Sequence, residues 1–571
     1  MNCFSLVMLM ISHVIVAQGD RVGSRLKKNR LRGDSRSYGH ESKKGASQSP
    51  TLKGIHYIYK KDIGVKGFVI DKPGVYRLAE DINFAPASDK NHAISIRASN
   101  VILDLNSKRL KQSNDKKNNI GIMVCQAQRA VVIRNGFIEG FGALGMWVSK
   151  ASREISFDSI DVLSCGSRGH APYSSQDGLQ SSSRGFFAGG LGLGGLEDPS
   201  ERLSSIEIRN CRFLDVVSTQ EAAFDPMTGE NSGIIAVGIG GAAVDGLVVE
   251  NCTCDTISSS KSTARGLTIT DGGTVEIAGH RSSSIAHNQG GSGILLYGIN
   301  SGFVVNSYVD RVRDTGGVVF IQRGSIGLGV VSSSDIAIQS CFVTQVNNMS
   351  DIGIAHGIEV RSSTNVSVLE SQVFDCGAEA LAVSVAGISY SASVDTGTAI
   401  SIIRCISNGN SSIFGNAYGF NVEPFQLQYD LNGPIIDNGI PQGVVLDGCT
   451  AESNSTAGFR FRNASSSSIL NSITKNNVHF GILLEATGTA QFKACSIENN
   501  VIETNGTGGF DAGVQDYYPI QNMYIGNKAF NNLVNYAGIP SSSPLVTWVI
   551  PTQKPLGDIT QKFANLDAQS H

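Results

Sequence analysis

Gly458 to Asn477 reads GFRFRNASSSSILNSITKNN, and Gly481 to Asn500 reads GILLEATGTAQFKACSIENN. Both stretches run from a glycine into an apolar-x-apolar strand, then a polar turn, a second short apolar strand, and a turn rich in Asn, Ser or Cys. The unit recurs from Gly121 (GIMVCQAQRAVVIRNGFIEG), Gly145, Gly293 (GILLYGINSGFVVNSYVDRV) and Gly357 (GIEVRSSTNVSVLESQVFDCG). Starts lie about 24 residues apart where no insertion intervenes, within the period that marks a solenoid. Side chains alternate along such strands, so Ile482 and Leu484 face one way and Leu483 and Glu485 the other. Strands this short bury their apolar face only by stacking coil on coil, with backbone hydrogen bonds between coils ~4.8 Å apart. The expected fold is all-β: a right-handed parallel β-helix of roughly a dozen coils with short capping segments, a rod on the order of 60 Å long. Runs of ten or more residues at helical period, which an α-solenoid needs, are missing.

The entry segment from Gly74, GVYRLAEDINFAPASDKNHAISIRASNVILDLNSKRL, contains the strand Leu103-Asp104-Leu105-Asn106. It resembles the first coil of right-handed β-helix proteins of the pectate-lyase-like superfamily, and the resemblance runs from about Gly74 to Asn532. It implies a scaffold rather than an activity. It also implies a place for function, the outer face of the strand that opens each coil.

Outside the repeats, Phe4 to Ala17 (FSLVMLMISHVIVA) is a short apolar run followed by small residues, which reads as a signal peptide over 1–19. Residues 20–54 are polar and basic, without apolar periodicity, and read as a disordered linker. They carry Arg32-Gly33-Asp34, a cell-adhesion tripeptide that recurs easily by chance. The β-helix with its N-terminal cap is expected over 55–532, and a C-terminal tail or cap over 533–571. No later run reaches the roughly 20 apolar residues of a membrane-spanning helix. The expected location is secreted, periplasmic or cell-surface. Lys+Arg 46 against Asp+Glu 49, a net charge of −3, gives no overall attraction to nucleic acid.

Ten of the 11 cysteines follow Cys3. Cys211, Cys252, Cys341, Cys405, Cys449 and Cys495 all read as the turn after the second strand, hence a column of buried thiols. Stacked Cβ atoms ~4.8 Å apart lie wider than a disulfide prefers, so mostly free thiols are expected. Cys252 and Cys254 lack zinc spacing, and no metal site is expected. Gly190 to Gly195 and Gly238 to Ala243 match a nucleotide-binding glycine pattern but lack the following helix, so they read as loops and no cofactor is expected.

Polygalacturonases share this repeat grammar. Against their motifs, His356-Gly357-Ile358 looks like the His-bearing coil and Asp177-Gly178 faintly like the first. The paired aspartates and the Arg-Ile-Lys are absent, which removes the acid and base of inverting hydrolysis. The Trp-Asp-His block and acidic calcium cluster of pectate lyases are absent too. The alternation places Asn421, Glu423, Arg460, Arg462 and Glu485 outward on three consecutive coils, with Phe425 and Tyr429 on the insertion after Glu423. Tyr297, His356, Glu359, Arg361 and Glu379 form a second outward group, with His356 read as a surface residue before a turn glycine. Carboxylates, guanidinium groups and aromatics together suit a sugar chain, and a surface salt-bridge ladder accounts for the same pattern. The catalytic candidates are His356, Glu359, Glu379, Glu423 and Glu485. The substrate-binding candidates are Tyr297, Arg361, Asn421, Phe425, Tyr429, Arg460 and Arg462. The expectation is a protein that binds or modifies polysaccharide, as a lyase or hydrolase if it is an enzyme, with a non-catalytic adhesin or structural surface protein as the alternative. Asn251, Asn348, Asn365, Asn410, Asn454, Asn463 and Asn505 open N-glycosylation sequons, which the turns of a β-helix produce for structural reasons.

Overall fold

In the computed structural model the described residues lie between 54 and 568, without 89–90, 114–118, 167–185, 195–197, 199, 220–233, 289, 316–323, 350–352, 379–383, 393–398, 414, 428–435, 486–493, 507–511, 517–521, 533, 538–546 and 550–564. Contacts divide the chain into Met1–Thr51 and Leu52–His571, and the described residues all belong to the second unit. The signal-peptide reading, the Arg-Gly-Asp tripeptide and nearly all of the linker lie outside them.

The described chain is a right-handed parallel β-helix. Its first sheet, the one that opens each repeat, stacks parallel strands from Phe68–Ile70 through Gly324–Val331 and Phe480–Glu485 to Val534–Ala537. Seventeen strands join this sheet. One of them, Ile436–Asn438, pairs antiparallel with residues 425–427, which leaves sixteen rungs. At ~4.8 Å per rung the stack is about 75 Å long, longer than the dozen coils expected. The added rungs include Phe186–Gly194 and Ile234–Ala242, which pair in register with each other. The two glycine stretches read as loops are therefore strands: at Gly192, Gly194, Gly240 and Ala242 their outward positions carry glycine or alanine, which hid the alternation.

The second and third sheets complete each coil. Leu203–Arg209, Val244–Glu250 and Thr274–Ala278 stack in the second, and Arg212–Ser218, Thr253–Ser259 and Arg281–His287 in the third. Where these two sheets meet, one residue takes a left-handed conformation, as at Asn210 (φ 53) and Asn251 (φ 51). Asparagine tolerates that region better than most residues, which explains the Asn-rich turns. The next residue points inward and is small, giving the buried thiols Cys211, Cys252, Cys341, Cys405 and Cys449. Cys252 Sγ lies 3.4 Å from the Ile208 carbonyl one rung earlier, and Cys449 Sγ 3.3 Å from that of Ile402. All ten cysteines after Cys3 are free thiols. Cys495 does not belong to this column. It precedes the second-sheet strand Ser496–Glu498, and its N–H donates to Asn522 Oδ1 at 3.2 Å.

The glycine that opens each repeat has a steric cause. From Gly121 to Gly481 twelve successive rungs of the first sheet carry glycine in register. A Cβ at Gly327 would lie 2.3 Å from Val343 Cγ1 and 2.4 Å from the Gly357 carbonyl, closer than packed atoms approach. The first sheet thus leans on the third along a column that admits no side chain. At the third corner, before the chain returns to the first sheet, buried asparagines form a ladder. Asn410 Nδ2 donates to Asn454 Oδ1 (2.7 Å), Asn454 to Asn477 (2.8 Å), Asn477 to Asn505 (2.8 Å) and Asn505 to Asn532 (3.2 Å). The stack does not stop at 532: Val534–Ala537 pairs with the strand Ala512–Asp516, and Asn565–Ala568 with Lys528–Phe530.

Candidate functional site

The outward residues of the first sheet between Ile354–Arg361 and Phe480–Glu485 form two rows across five successive rungs. One row runs Glu359, Ser389, Asn421, Arg460. The other runs Arg361, Ser391, Glu423, then the register pair Arg462 and Glu485. The two groups separated in the sequence reading are therefore one continuous surface, joined through Ser389 and Ser391. Both serines went unnoticed because the strand Ser384–Ala392 opens on no charged residue.

Arg460 organises the later rungs. Its Nη1 donates to Glu423 Oε2 at 2.9 Å and to Asn421 Oδ1 at 3.3 Å, and its Nε to Glu485 Oε2 at 2.8 Å. Asn421 Nδ2 in turn donates to Glu423 Oε1 at 2.9 Å. The guanidinium lies over the Tyr418 ring, 4.7 Å from its centroid. Tyr418 is a contact the sequence reading missed: it lies three residues before Asn421, across Gly419 of the packed column, so strict alternation assigns it the inward phase of Phe420. Burial disfavours the Arg460 charge, but Tyr418, Glu423 and Glu485 outweigh it and hold the group above its ordinary value.

On the earlier rungs Glu359 Oε1 lies 3.8 Å from His356 Nδ1 and 3.7 Å from Arg361 Nε. Burial pushes the Glu359 carboxyl up, while Arg361 and His356 pull it further down, to about 2. His356 is not a surface residue before a turn. It is buried inside the strand Ile354–Arg361, with Nε2 3.3 Å from Ser384 Oγ, because Gly357 belongs to the packed glycine column. Among the described residues, His356 Nδ1, Glu359 Oε2 and Ser389 Oγ meet no protein hydrogen-bond partner.

The surface is less open than a groove. Asn421, Glu423, Arg460 and Glu359 are outward yet buried. Leu483 also faces outward and is covered, packed with Tyr418 and Ala457. Exposure is greatest along the second row, where the side chains of Glu485, Arg361 and Arg462 are 29%, 18% and 14% accessible. Tyr297 stands in the same row, two rungs before Arg361. Residue 425 continues the strand Ala417–Leu427, so Phe425 lies at the base of a short hairpin. Glu379 and Tyr429 lie outside the described residues, as do Asp177 and Gly178.

A serine–histidine–aspartate lookalike occurs at the third corner. His287 Nε2 is 3.0 Å from Ser325 Oγ, and Asp314 Oδ1 is 3.9 Å from His287 Nδ1. However, the Gly290 N–H donates to His287 Nδ1 at 3.1 Å, so the ring proton sits on Nε2 and points at the serine. The Ser325 hydroxyl donates its own hydrogen bond to the Asn347 carbonyl at 2.6 Å. A general base needs the opposite tautomer, so this is a corner brace. Among the described residues, no three His, Cys, Asp or Glu side chains group as metal ligands, and no helix is long and apolar enough to cross a membrane.

Stacked parallel coils, a sterically required glycine column and asparagine-lined corners define the class: this chain is a right-handed parallel β-helix protein. No family model matches it, and no curated protein does. Among solved structures it is similar to the periplasmic alginate epimerase AlgG (11% identity, 82% of this chain and 82% of that chain, TM-score 0.31). It is also similar to the A-module of the Azotobacter vinelandii mannuronan C-5 epimerase AlgE6 (11%, 90% and 97%, 0.31). A third is PfbA, a surface adhesin of Streptococcus pneumoniae (11%, 66% and 85%, 0.32).

Proposed function

We propose that this protein is exported and binds a polysaccharide along the second row of the first sheet, with Tyr297, Arg361, Arg462 and Glu485 as the contacting side chains. The observation that carries the reading is the polar surface itself. Over five rungs the outer face of the sheet is built from carboxylates, guanidinium groups, an amide and hydroxyls, fixed by hydrogen bonds beneath a partly exposed margin. Groups held in this way lose little conformational freedom when a ligand arrives. The polar atoms of His356, Glu359 and Ser389 that lack a protein partner are of the kind that a sugar hydroxyl or a water completes. The apolar run Phe4 to Ala17 supports export.

Binding fits better than bond cleavage. Glu423 and Glu485 each spend an oxygen on Arg460, and Glu359 is held as a carboxylate, which leaves none of the three suited to protonate a leaving group. The test is a glycan array probed with the full chain, Glu359→Gln and Arg462→Ala. Binding by the wild type that weakens at least tenfold, about 1.4 kcal/mol, in either variant supports the reading. Absence of binding to any glycan overturns it in favour of a structural or adhesive role.

A further inference from the structure

The seven sequons are motifs that glycan binding leaves unexplained, and the fold sorts them into two classes. Asn348, Asn410, Asn454, Asn463 and Asn505 are at most 1% exposed. Asn251 and Asn365 are exposed and in the left-handed conformation (φ 51), Asn251 at the corner of the second and third sheets and Asn365 in the strand Thr364–Leu369.

Three of the buried class, Asn410, Asn454 and Asn505, hold the corner ladder. Asn454 Oδ1 accepts from Asn410 Nδ2 at 2.7 Å, while its own Nδ2 donates to Asn477 Oδ1 at 2.8 Å. Asn505 Nδ2 donates to the Thr474 carbonyl at 3.1 Å and to Asn532 Oδ1 at 3.2 Å. Asn410 Oδ1 accepts the Cys376 N–H at 3.2 Å. An N-linked glycan replaces one Nδ2 hydrogen with the anomeric carbon of a sugar. In the ladder that removes a donor and places a ring inside a close-packed wall. At Asn251 and Asn365 the side chain already faces out; the Asn365 amide reaches only the exposed carboxylate of Asp335.

We propose that Asn251 and Asn365 are the two N-glycan acceptors this fold tolerates, and that a glycan on any of the other five blocks folding. In the transfer, the Nδ2–C1 bond forms as the bond from C1 to a lipid-linked pyrophosphate breaks, and one amide proton leaves. The transferase meets the chain before it folds, when all seven tripeptides look alike. The chain therefore reaches its native state out of reach of such an enzyme, or with five sequons skipped.

The full chain sent through the secretory pathway of cultured mammalian cells, with and without tunicamycin to deplete the lipid-linked donor, tests this by peptide mass mapping. Secreted, protease-resistant protein is expected to carry glycan at Asn251, Asn365 or both and nowhere else. Retained chain is expected to carry it on at least one of the five, and tunicamycin is expected to raise secreted folded yield several-fold. The combined substitution Asn251→Gln and Asn365→Gln should remove all glycan from the secreted fraction without lowering yield. Folded protein with glycan on any of the five overturns the proposal. So does an unchanged yield under tunicamycin, or secreted protein with both exposed sites unmodified.

Discussion

The first sheet and the two that complete each coil share a rung spacing and a core, and they differ in what lies outside them. Gly324–Val331 and Ser384–Ala392 are buried at every residue, whereas Leu203–Arg209 and Thr253–Ser259 alternate between buried and solvated. Charges on the first sheet therefore interact in a covered, low-dielectric setting, while those on the second and third are screened by water. The largest expected consequence is at Arg460. Arg460→Met leaves Glu423 and Asn421 buried without their main partner and should cost about 3–5 kcal/mol, read as a shift of the urea midpoint. A loss below about 1 kcal/mol would mean that this face is as wet as the others.

The core side of the first sheet is tested next. Gly327→Ala puts a Cβ against both Val343 and the Gly357 backbone. Since backbone cannot step aside as a side-chain tip does, a cost near the upper end of overpacking, about 3 kcal/mol, is expected. A neutral outcome by the same denaturation would show that the sheets separate more easily than the contact implies.

These two sites also show how far the chain is legible before folding. The glycine that opens Gly458 or Gly481 is visible as a period, and the alternation after it placed Asn421, Glu423, Arg460, Arg462 and Glu485 on one face, where Arg460 joins Asn421, Glu423 and Glu485, and Arg462 reaches Glu423. Period and alternation say which way a side chain points. They do not say what covers it, so His356 read as a surface residue and Glu359 as open. Phe186–Gly194 and Ile234–Ala242 were misread for a related reason: a strand covered on both faces by close neighbours carries glycine where alternation looks for contrast. Cys495 was misplaced because an insertion before it removed the spacing that identifies a corner.

Acid probes the corners that link the solvated third sheet to its neighbours. His280 and His287 are buried, and burial lowers both pKa values to about 3, with Arg265 adding to the effect on His287. Each binds its proton more readily unfolded, near 6.5, than folded. Their contribution is complete above pH 6.5 and is lost as pH falls toward 3, by about 2 kcal/mol per histidine at pH 5. The urea midpoint should drop between pH 7 and pH 5 in the wild type and less in His287→Asn. Equal drops in the two proteins would place the acid sensitivity elsewhere.

The smallest effect is expected from the ion pair that most resembles Arg460 on paper. Arg404 and Glu370 sit on adjacent rungs at the corner of the second and third sheets, paired through Nη2 and Oε1, with side chains 65% and 42% exposed. Arginine, carboxylate and rung spacing match those of Arg460 and Glu485, so the two sites differ mainly in cover. Water already solvates both partners at the corner, and a pair in that state is worth below about 1 kcal/mol. Arg404→Ala should therefore leave the urea midpoint almost unchanged and leave glycan binding intact, and moderate salt should erase what difference remains. A cost approaching that of Arg460→Met would mean that burial is not what separates the first sheet from the others. The polar rows would then owe their strength to local hydrogen-bond geometry alone.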